Sequence, residues 1–216
     1  STARGRGDVY KRQILGSADT VFEVNVTPDR GYALSARGLT REIASAFDLE
    51  FADVAQDPAI AGIDISGVPA PAGETIPVTV EESTKAKHFG VRTVEGIDAN
   101  AVAPFWMQRE LMLAGVRSVN AATDVTNYVM LLTGQPMHAF DADKIAGGLR
   151  VHNASDGEKF ETLDHVERTL SAEDVVISDD NGIQSLAGIM GGTTSEISDE
   201  TVNVPVSYTH LRAHET

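Results

Sequence analysis

The chain of 216 residues has no cysteine, and this absence excludes several kinds of site. Disulfide frameworks, thiolate zinc sites, iron–sulfur clusters and thiol nucleophiles all need the sulfur of cysteine. Any chemistry must therefore come from carboxylates, hydroxyls, amides, backbone groups and the six histidines.

Long apolar runs are missing as well. No stretch approaches the roughly 18 to 20 consecutive apolar residues that a membrane helix needs, and no charged head followed by an apolar block opens the chain as in a secretory signal. With 42% hydrophobic and 23% charged residues, the composition is that of a folded globular protein. We therefore expect a soluble, cytoplasmic protein with no membrane partner.

Positive charge is scarce. Lysine and arginine number 17 against 32 aspartates and glutamates, which gives a net charge of −15 at pH 7. A surface of this sign repels phosphate chains. Alone, the chain should bind nucleic acid weakly or not at all.

The two ends of the chain differ in pattern from the part between them. Residues 1–13 (STARGRGDVYKRQ) show no apolar period, and residues 205–216 (PVSYTHLRAHET) open with a proline and lose the alternation of a strand. We predict that both are non-native tails.

The first half of the intervening part predicts mainly helices. Alternation predicts a strand over 21–26. Apolar residues that recur at helical spacing then predict a helix over 35–47, whose buried stripe consists of Leu39, Ile43, Ala46 and Phe47. Prolines and glycines mark 53–83 as an extended boundary segment. From residue 84 a second unit follows.

That unit opens with two helices. Pro104 suits the start of the first, and Gly115 its end. Asn120 or Thr123 can cap the second, and Gly134 with Pro136 stops it. Its predicted inward stripe consists of Val125, Val129 and Leu132.

Strand patterns fill the rest of the second unit. They lie at 137–140, 149–153, 166–170, 175–178, 183–189 and 201–204, and residues 179–182 (DDNG) predict a hairpin turn. Helices followed by strands predict an α+β fold with helices packed on mixed or antiparallel sheets.

The clearest cluster of polar residues lies where the second helix meets the next strand. Thr126 and Asn127 lie on the helix, and the stop at 134–136 folds the chain back so that His138 can approach them. The alternative is that His138 and Asp141 satisfy each other's hydrogen-bonding groups and those of the turn.

A second feature is the glycine-rich segment LAGIMGG at 186–192. Glycines in a strand suggest that the backbone passes close to a ligand or to another segment, although such a segment is also typical of a β-bulge. No Lys-Ser/Thr pair or helix follows, so the pattern excludes a P-loop.

Other classes of site find little support. The histidines lack the spacing that brings imidazoles onto one metal ion, so no metal site is expected, and no Gly-x-Ser-x-Gly motif indicates a serine hydrolase.

Three long segments are similar to one known family. Residues 24–47 (VNVTPDRGYALSARGLTREIASAF), 117–145 (RSVNAATDVTNYVMLLTGQPMHAFDADKI) and 157–204 resemble, in the same order, the beta subunit of bacterial phenylalanyl-tRNA synthetase. The resemblance covers residues 21–204. It implies part of a small helical domain at 14–52 and a tRNA-editing domain, incomplete at its C-terminal end, at 84–204.

The resemblance also implies a function. The family joins phenylalanine to its tRNA with ATP and magnesium in an α2β2 assembly, so the expected partners are the alpha subunit, the remainder of the beta subunit and tRNA. No cofactor is expected in this part of it. The editing domain hydrolyses tRNA that has been mischarged with tyrosine.

Site residues follow by matching position. The resemblance implies that His138 lies near the ester and that Thr126 and Asn127 place the amino acid or the attacking water. It further implies that Gly191 offers a backbone N–H to the phenol, and that Met190 and Gly192 shape the same wall.

One departure affects this expectation. The family has a glutamate that accepts the tyrosine hydroxyl where this chain has Ser207, so we expect weak editing or none. Two alternatives remain open: a scaffolding segment without activity of its own, and a free-standing editing protein. The latter is disfavoured because 21–47 resemble the beta subunit's helical domain.

Overall fold

The structure is a computed structural model that describes residues 19–84 and 86–211. The predicted tail at 1–13 and the last five residues of the predicted tail at 205–216 lie outside this range. Whether either tail is foreign to the protein therefore stays a prediction.

Between residues 19 and 84, the structure contains one α-helix. A 3-10 turn, Pro28–Leu34, leads into α1, Ala36–Ala46, and the Ser35 Oγ accepts a hydrogen bond from the Gly38 N–H at the helix start. The helix predicted over 35–47 is thus confirmed. Its predicted buried stripe is wrong, because Ile43 and Phe47 are 53% and 72% exposed and the helix buries Gly38 and Ala44 instead.

Two further expectations for this part can be compared with the structure. Residues 21–26 form no strand, since nothing in the described part of the chain pairs with them. The predicted boundary segment contains a 3-10 turn, Pro58–Ala61, and then β1, Val78–Val80. Because β1 pairs in parallel with a later strand, its residues belong to the sheet of the second unit.

The second unit contains two helices within its described residues, and a strand, Ala86–Val94, precedes both. Helix α2, Phe105–Leu113, buries Met107 and Leu111, and α3, Ala121–Thr133, is capped by Asn120, whose Oδ1 accepts the Thr123 N–H at 2.9 Å. Gly115 and Gly134 have φ of 79° and 81°, the left-handed conformation that ends helices at glycine.

The inward face of α3 differs from the predicted stripe. Val125 is 44% exposed, whereas Tyr128 and Leu131 pack against the core of α2 and Asp124 and Thr126 are buried. Apolar residues lie on several sides of this helix, so spacing alone does not select the face.

In the described part of the chain, nine more strands follow β1. They are β2, Ala86–Val94; β3, Met137–Ala139; β4, Leu149–Asn153; β5, Lys159–Glu161; β6, Glu167–Thr169; β7, Val175–Asp179; β8, Gly182–Leu186; β9, Met190–Gly191; and β10, Val204–Leu211. Strand order is β1-β4-β7-β8-β9 in the largest sheet, β2-β10-β3 in the second and β5-β6 in the third. Among these strands, the β1–β4 pair is parallel and the other pairs are antiparallel. The predicted α+β class with mixed and antiparallel sheets is confirmed.

Strand β10 corrects one prediction and positions the site. We expected a strand over 201–204 that ended at Pro205, but β10 begins at Val204 and continues to Leu211. The carbonyl of Pro205 accepts the Phe140 N–H at 2.9 Å, one residue beyond the end of β3. Proline is tolerated here because the N–H that it lacks would lie on the same side, where the pairing of β10 with β3 stops. Strand β10 then places Ser207 directly opposite His138 on β3.

Candidate functional site

A cavity of about 360 Å³ lies between α3, β3, the β8–β9 segment and β10. Five of the six residues that the sequence singled out line it: Thr126, Asn127, His138, Met190 and Gly191. They come from one helix and two different sheets, so only the tertiary fold brings them together. The junction at 134–136 does return the chain onto α3, as predicted.

His138 forms one wall of the cavity. Its Nε2 atom is shielded from solvent and has no hydrogen-bond partner among the described residues. The ring lies edge-on to Phe140, with centroids 4.5 Å apart. On its other side is Gly191, where an added Cβ would lie 2.1 Å from His138 Cε1 and 2.3 Å from Nε2. The imidazole thus packs directly on the glycine backbone.

Burial controls the charge of this imidazole. Removal from water disfavours the protonated ring and lowers the pKa of His138 from 6.5 to about 4. At neutral pH the ring is therefore uncharged, and Nε2 either donates or accepts one hydrogen bond according to its tautomer. A buried polar atom without a partner is costly, which indicates a place where a bound ligand or water supplies the missing bond.

Thr126 and Asn127 line the same cavity from α3. Thr126 is buried, and its Oγ1 donates to the Thr123 carbonyl at 2.8 Å, so its remaining lone pairs can accept from a ligand. Asn127 is half-buried and lines the cavity. These groups can position a polar molecule, but neither is a strong base or nucleophile.

The model of one protein family covers more than half of the chain. The B3/4 domain model matches residues 85–214. The chain belongs to the B3/4 domain family. Its match begins at the second unit, which contains the cavity, so the site lies within this B3/4 domain.

Whole-chain relatives agree with the resemblance found in the sequence. The chain is 72% identical over 193 residues to the phenylalanine–tRNA ligase beta subunit of Corynebacterium diphtheriae, covering 89% of this chain and 23% of that protein. It is 54% identical over 192 residues to the beta subunit of Nocardia farcinica, covering 89% and 22%. The predicted similarity to this subunit is confirmed, and the chain spans about a quarter of the length of these relatives.

One solved structure is similar over most of the chain. An N-terminal fragment of the phenylalanyl-tRNA synthetase beta subunit from Pyrococcus horikoshii has 19% sequence identity and a TM-score of 0.49. The match covers 94% of this chain and 62% of that one.

Gly192 does not lie where the sequence indicated. It is buried against the core of the B3/4 domain, where an added Cβ would lie 2.5 Å from Phe160 Cζ, and its N–H donates to the Gln184 carbonyl at 2.8 Å. It does not line the cavity. Gly192 therefore does not shape the wall that Met190 and Gly191 form.

The alternative role for His138 is not realised either. The Asp141 carboxylate accepts the Thr201 hydroxyl at 2.7 Å and the Asp143 N–H at 3.1 Å, and Lys144 lies 3.5 Å away. His138 and Asp141 therefore do not satisfy each other, and the imidazole is left free for the cavity.

The sequence also did not predict several other residues that line the cavity of this B3/4 domain, among them Leu163, Ser185 and Glu196. Ser185 is buried and its hydroxyl lies 3.2 Å from the Met190 carbonyl, which ties β8 to β9. Glu196 follows a run of small polar residues that resembles any exposed loop. No local signal distinguishes these positions, because long-range pairing creates them.

The described residues offer no metal centre and no membrane span. No three His, Asp or Glu residues among them come close enough to hold a metal ion. Within the same part of the chain, no helix has the length and apolar character needed to cross a membrane.

The depressed pKa of His138 predicts a pH-dependent stability. In the unfolded chain the imidazole has a pKa near 6.5, and in the fold about 4. Between these values the unfolded state binds more protons, so the free energy of unfolding falls as pH drops from about 6.5 towards 4. We expect His138→Gln to remove about 2 to 3 kcal/mol of this acid sensitivity.

Urea unfolding of both proteins at pH 7.0, 5.5 and 4.5 measures the difference. The carboxylates and the other histidines titrate in both proteins, so their contributions to the free energy of unfolding cancel in the comparison. Parallel pH profiles for the two proteins would show that the imidazole is not held neutral by the fold.

Proposed function

We propose that this B3/4 domain hydrolyses the ester of tyrosine wrongly attached to the phenylalanine tRNA. The observation that carries the proposal is the uncharged imidazole of His138, whose unpartnered Nε2 meets the Gly191 backbone in a cavity of about 360 Å³. Small-molecule pockets span roughly 300–1,000 Å³, so this one suits an amino-acid ligand.

The chemistry requires a positioned water as the nucleophile rather than a nucleophilic side chain. Thr126 and Asn127 on α3, with His138 opposite them, surround the space in which an ester and a water would meet. An aminoacyl ester is already activated, and holding the water in line with it lowers the barrier by several kcal/mol. His138 is uncharged at neutral pH and supplies a hydrogen bond to the ester or to the water.

Editing is useful because tyrosine and phenylalanine are hard to distinguish in a single binding pocket. Tyrosine differs from phenylalanine by one hydroxyl, and an apolar pocket rejects an added hydroxyl only about 10²-fold. A second cavity with polar walls selects the hydroxyl instead. Polar groups on β8–β10, including Ser185 and Ser207, provide such walls here.

The larger protein is proposed from its relatives. Their name and the resemblance support a ligase that joins phenylalanine to tRNA with ATP and magnesium, in a cytoplasmic α2β2 assembly with an alpha subunit. A net charge of −15 on this chain means that other parts of that assembly would hold the tRNA.

Removal of the imidazole tests the proposal. Loss of its hydrogen bond should slow deacylation of Tyr-tRNA by about tenfold in His138→Ala, measured in single turnovers with enzyme in excess. His165→Asn is the matched control, because His165 is exposed with φ of 59°, a conformation that asparagine tolerates. Each variant is compared in the chain itself and in the chain carrying Ser207→Glu.

A scaffolding role is the second candidate. It is favoured by large apolar side chains at the surface of the N-terminal part, where Phe22, Leu34 and Phe47 are 81%, 71% and 72% exposed. Such a surface suits packing against the rest of a longer polypeptide. Equal deacylation by the parent and by His138→Ala, in both backgrounds, would favour scaffolding over editing.

A further inference from the structure

Glu196 is the only acidic side chain among the described residues that line the cavity, and no basic side chain lines it. Its side chain is exposed as well as cavity-lining, which places it at the mouth. Since burial keeps His138 uncharged, the cavity has a net charge of −1 at neutral pH. This charge favours a ligand with a cationic group.

The backbone around Glu196 is fixed on both sides. The carbonyl of the fully buried Ser195 accepts the Asp141 N–H at 3.0 Å, and the carbonyl of Glu196 accepts Lys144 Nζ at 2.6 Å. The next residue, Ile197, is half-buried against the same cavity. The backbone from which the Glu196 side chain extends is thus held at a defined position of the rim.

Neighbouring charges leave the Glu196 carboxylate available. The ammonium of Lys144 lies 3.5 Å from the carboxylate of Asp141, and this carboxylate offsets the positive charge of Lys144. No hydrogen bond or ion pair involves the Glu196 carboxylate within residues 19–84 and 86–211. The buried Nε2 atom of His138 in the same cavity also lacks a hydrogen-bond partner among the described residues. Together, the Glu196 carboxylate and the His138 Nε2 atom fit a ligand with one cationic end and one polar neutral group.

We infer that Glu196 binds the α-ammonium group of the aminoacyl ester and so selects esters of free α-amino acids. The inference rests on the proposed function, because it assigns the orientation of the same substrate. With the ammonium at the mouth and the ester beside His138, the side chain of the amino acid extends inward towards Gly191. Glu196 would be a substrate-binding and specificity residue, with no part in moving protons.

Two amides that differ only in the ammonium test the inference. L-Tyrosinamide has the α-amino group, and 3-(4-hydroxyphenyl)propanamide lacks it. At pH 6.5 the amine is protonated, and an ion pair at a partly exposed rim should make the chain bind L-tyrosinamide roughly 5- to 10-fold more tightly. Glu196→Gln should bring the ratio of dissociation constants close to one and leave the affinity for the propanamide unchanged.

Glu200→Gln is the matched control, since it removes one charge from an exposed position on the same segment that does not line the cavity. It should keep the preference. Equal binding of both amides by the parent chain, or a preference that survives Glu196→Gln, would overturn the inference while leaving a tyrosyl-binding cavity in place. Failure of both amides to bind the parent chain would instead remove the proposed function and this inference with it.

Discussion

Ser207→Glu should raise the rate of Tyr-tRNA deacylation by about 10- to 150-fold. Ser207 lies on β10 directly opposite His138 on β3, is 2% exposed and lines the cavity. Residues opposite each other in an antiparallel pair have Cβ atoms about 4.5–5.5 Å apart on one face, so a glutamate here would extend into the cavity beside the imidazole. A charged acceptor for the tyrosine hydroxyl contributes roughly 1.5 to 3 kcal/mol, which gives the expected range.

Two controls separate charge from shape. Ser207→Gln supplies a side chain of the same size without the charge and should produce a smaller gain. Tyr208→Glu places the same charge on the next residue of β10, which is 45% exposed and does not line the cavity, and should leave the rate unchanged. If Ser207→Glu leaves Tyr-tRNA deacylation unchanged, or raises deacylation of Phe-tRNA equally, the assigned hydroxyl site is wrong.

In the Ser207→Glu protein, Gly191→Ala should lower Tyr-tRNA deacylation by about 10- to 100-fold. A Cβ at this position would lie 2.1 Å from His138 Cε1 and 2.3 Å from Nε2, closer than van der Waals contact allows. Displacement of the imidazole would remove its hydrogen bond and cost about tenfold, and displacement of strand β9 by about 1 Å would misplace the bound amino acid and cost about 10²-fold. The φ of Gly191 lies outside the left-handed region, so the steric clash alone accounts for the loss.

Two other glycines distinguish this effect from general damage. Gly67 has open space around its Cα, so Gly67→Ala should retain both stability and rate. At Gly192 an added Cβ would meet Phe160 in the core, so Gly192→Ala should lower the unfolding temperature with a smaller effect on deacylation by the folded protein. Retention of the parent rate by Gly191→Ala would contradict the close packing of imidazole and glycine at the site.

Local signals in the sequence predicted much of this fold. The cap at Asn120 and the helix ends at Gly115 and Gly134 appear where expected, because capping and left-handed glycine depend on a few neighbouring residues. The hairpin at 179–182 forms for the same reason. Strand β2 and the continuation of β10 past Pro205 were missed, since their stability comes from pairing with each other over a long separation in sequence.

The residues of the site likewise fall into those that the sequence predicted and those that depend on long-range packing. The proximity of His138 to α3 followed from the chain reversal at Gly134, and the approach of Gly191 followed from the family resemblance. The buried side of α3, the opposite orientation of Gly192 and the presence of Glu196 at the rim depend on how separate elements pack. Alternating or periodic apolar residues do not encode such contacts.

An NMR titration of the chain with L-tyrosinamide tests the central claim most directly. The imidazole Hε1 of His138 and the backbone amide of Gly191 should shift together and saturate at one ligand concentration, with smaller changes for L-phenylalaninamide. The ring of His152, which bonds to Asn153 and Ser178 outside the cavity, should not move. If His138 and Gly191 remain unshifted at millimolar tyrosinamide, or shift no more than His152, then the cavity between them does not receive a tyrosyl group.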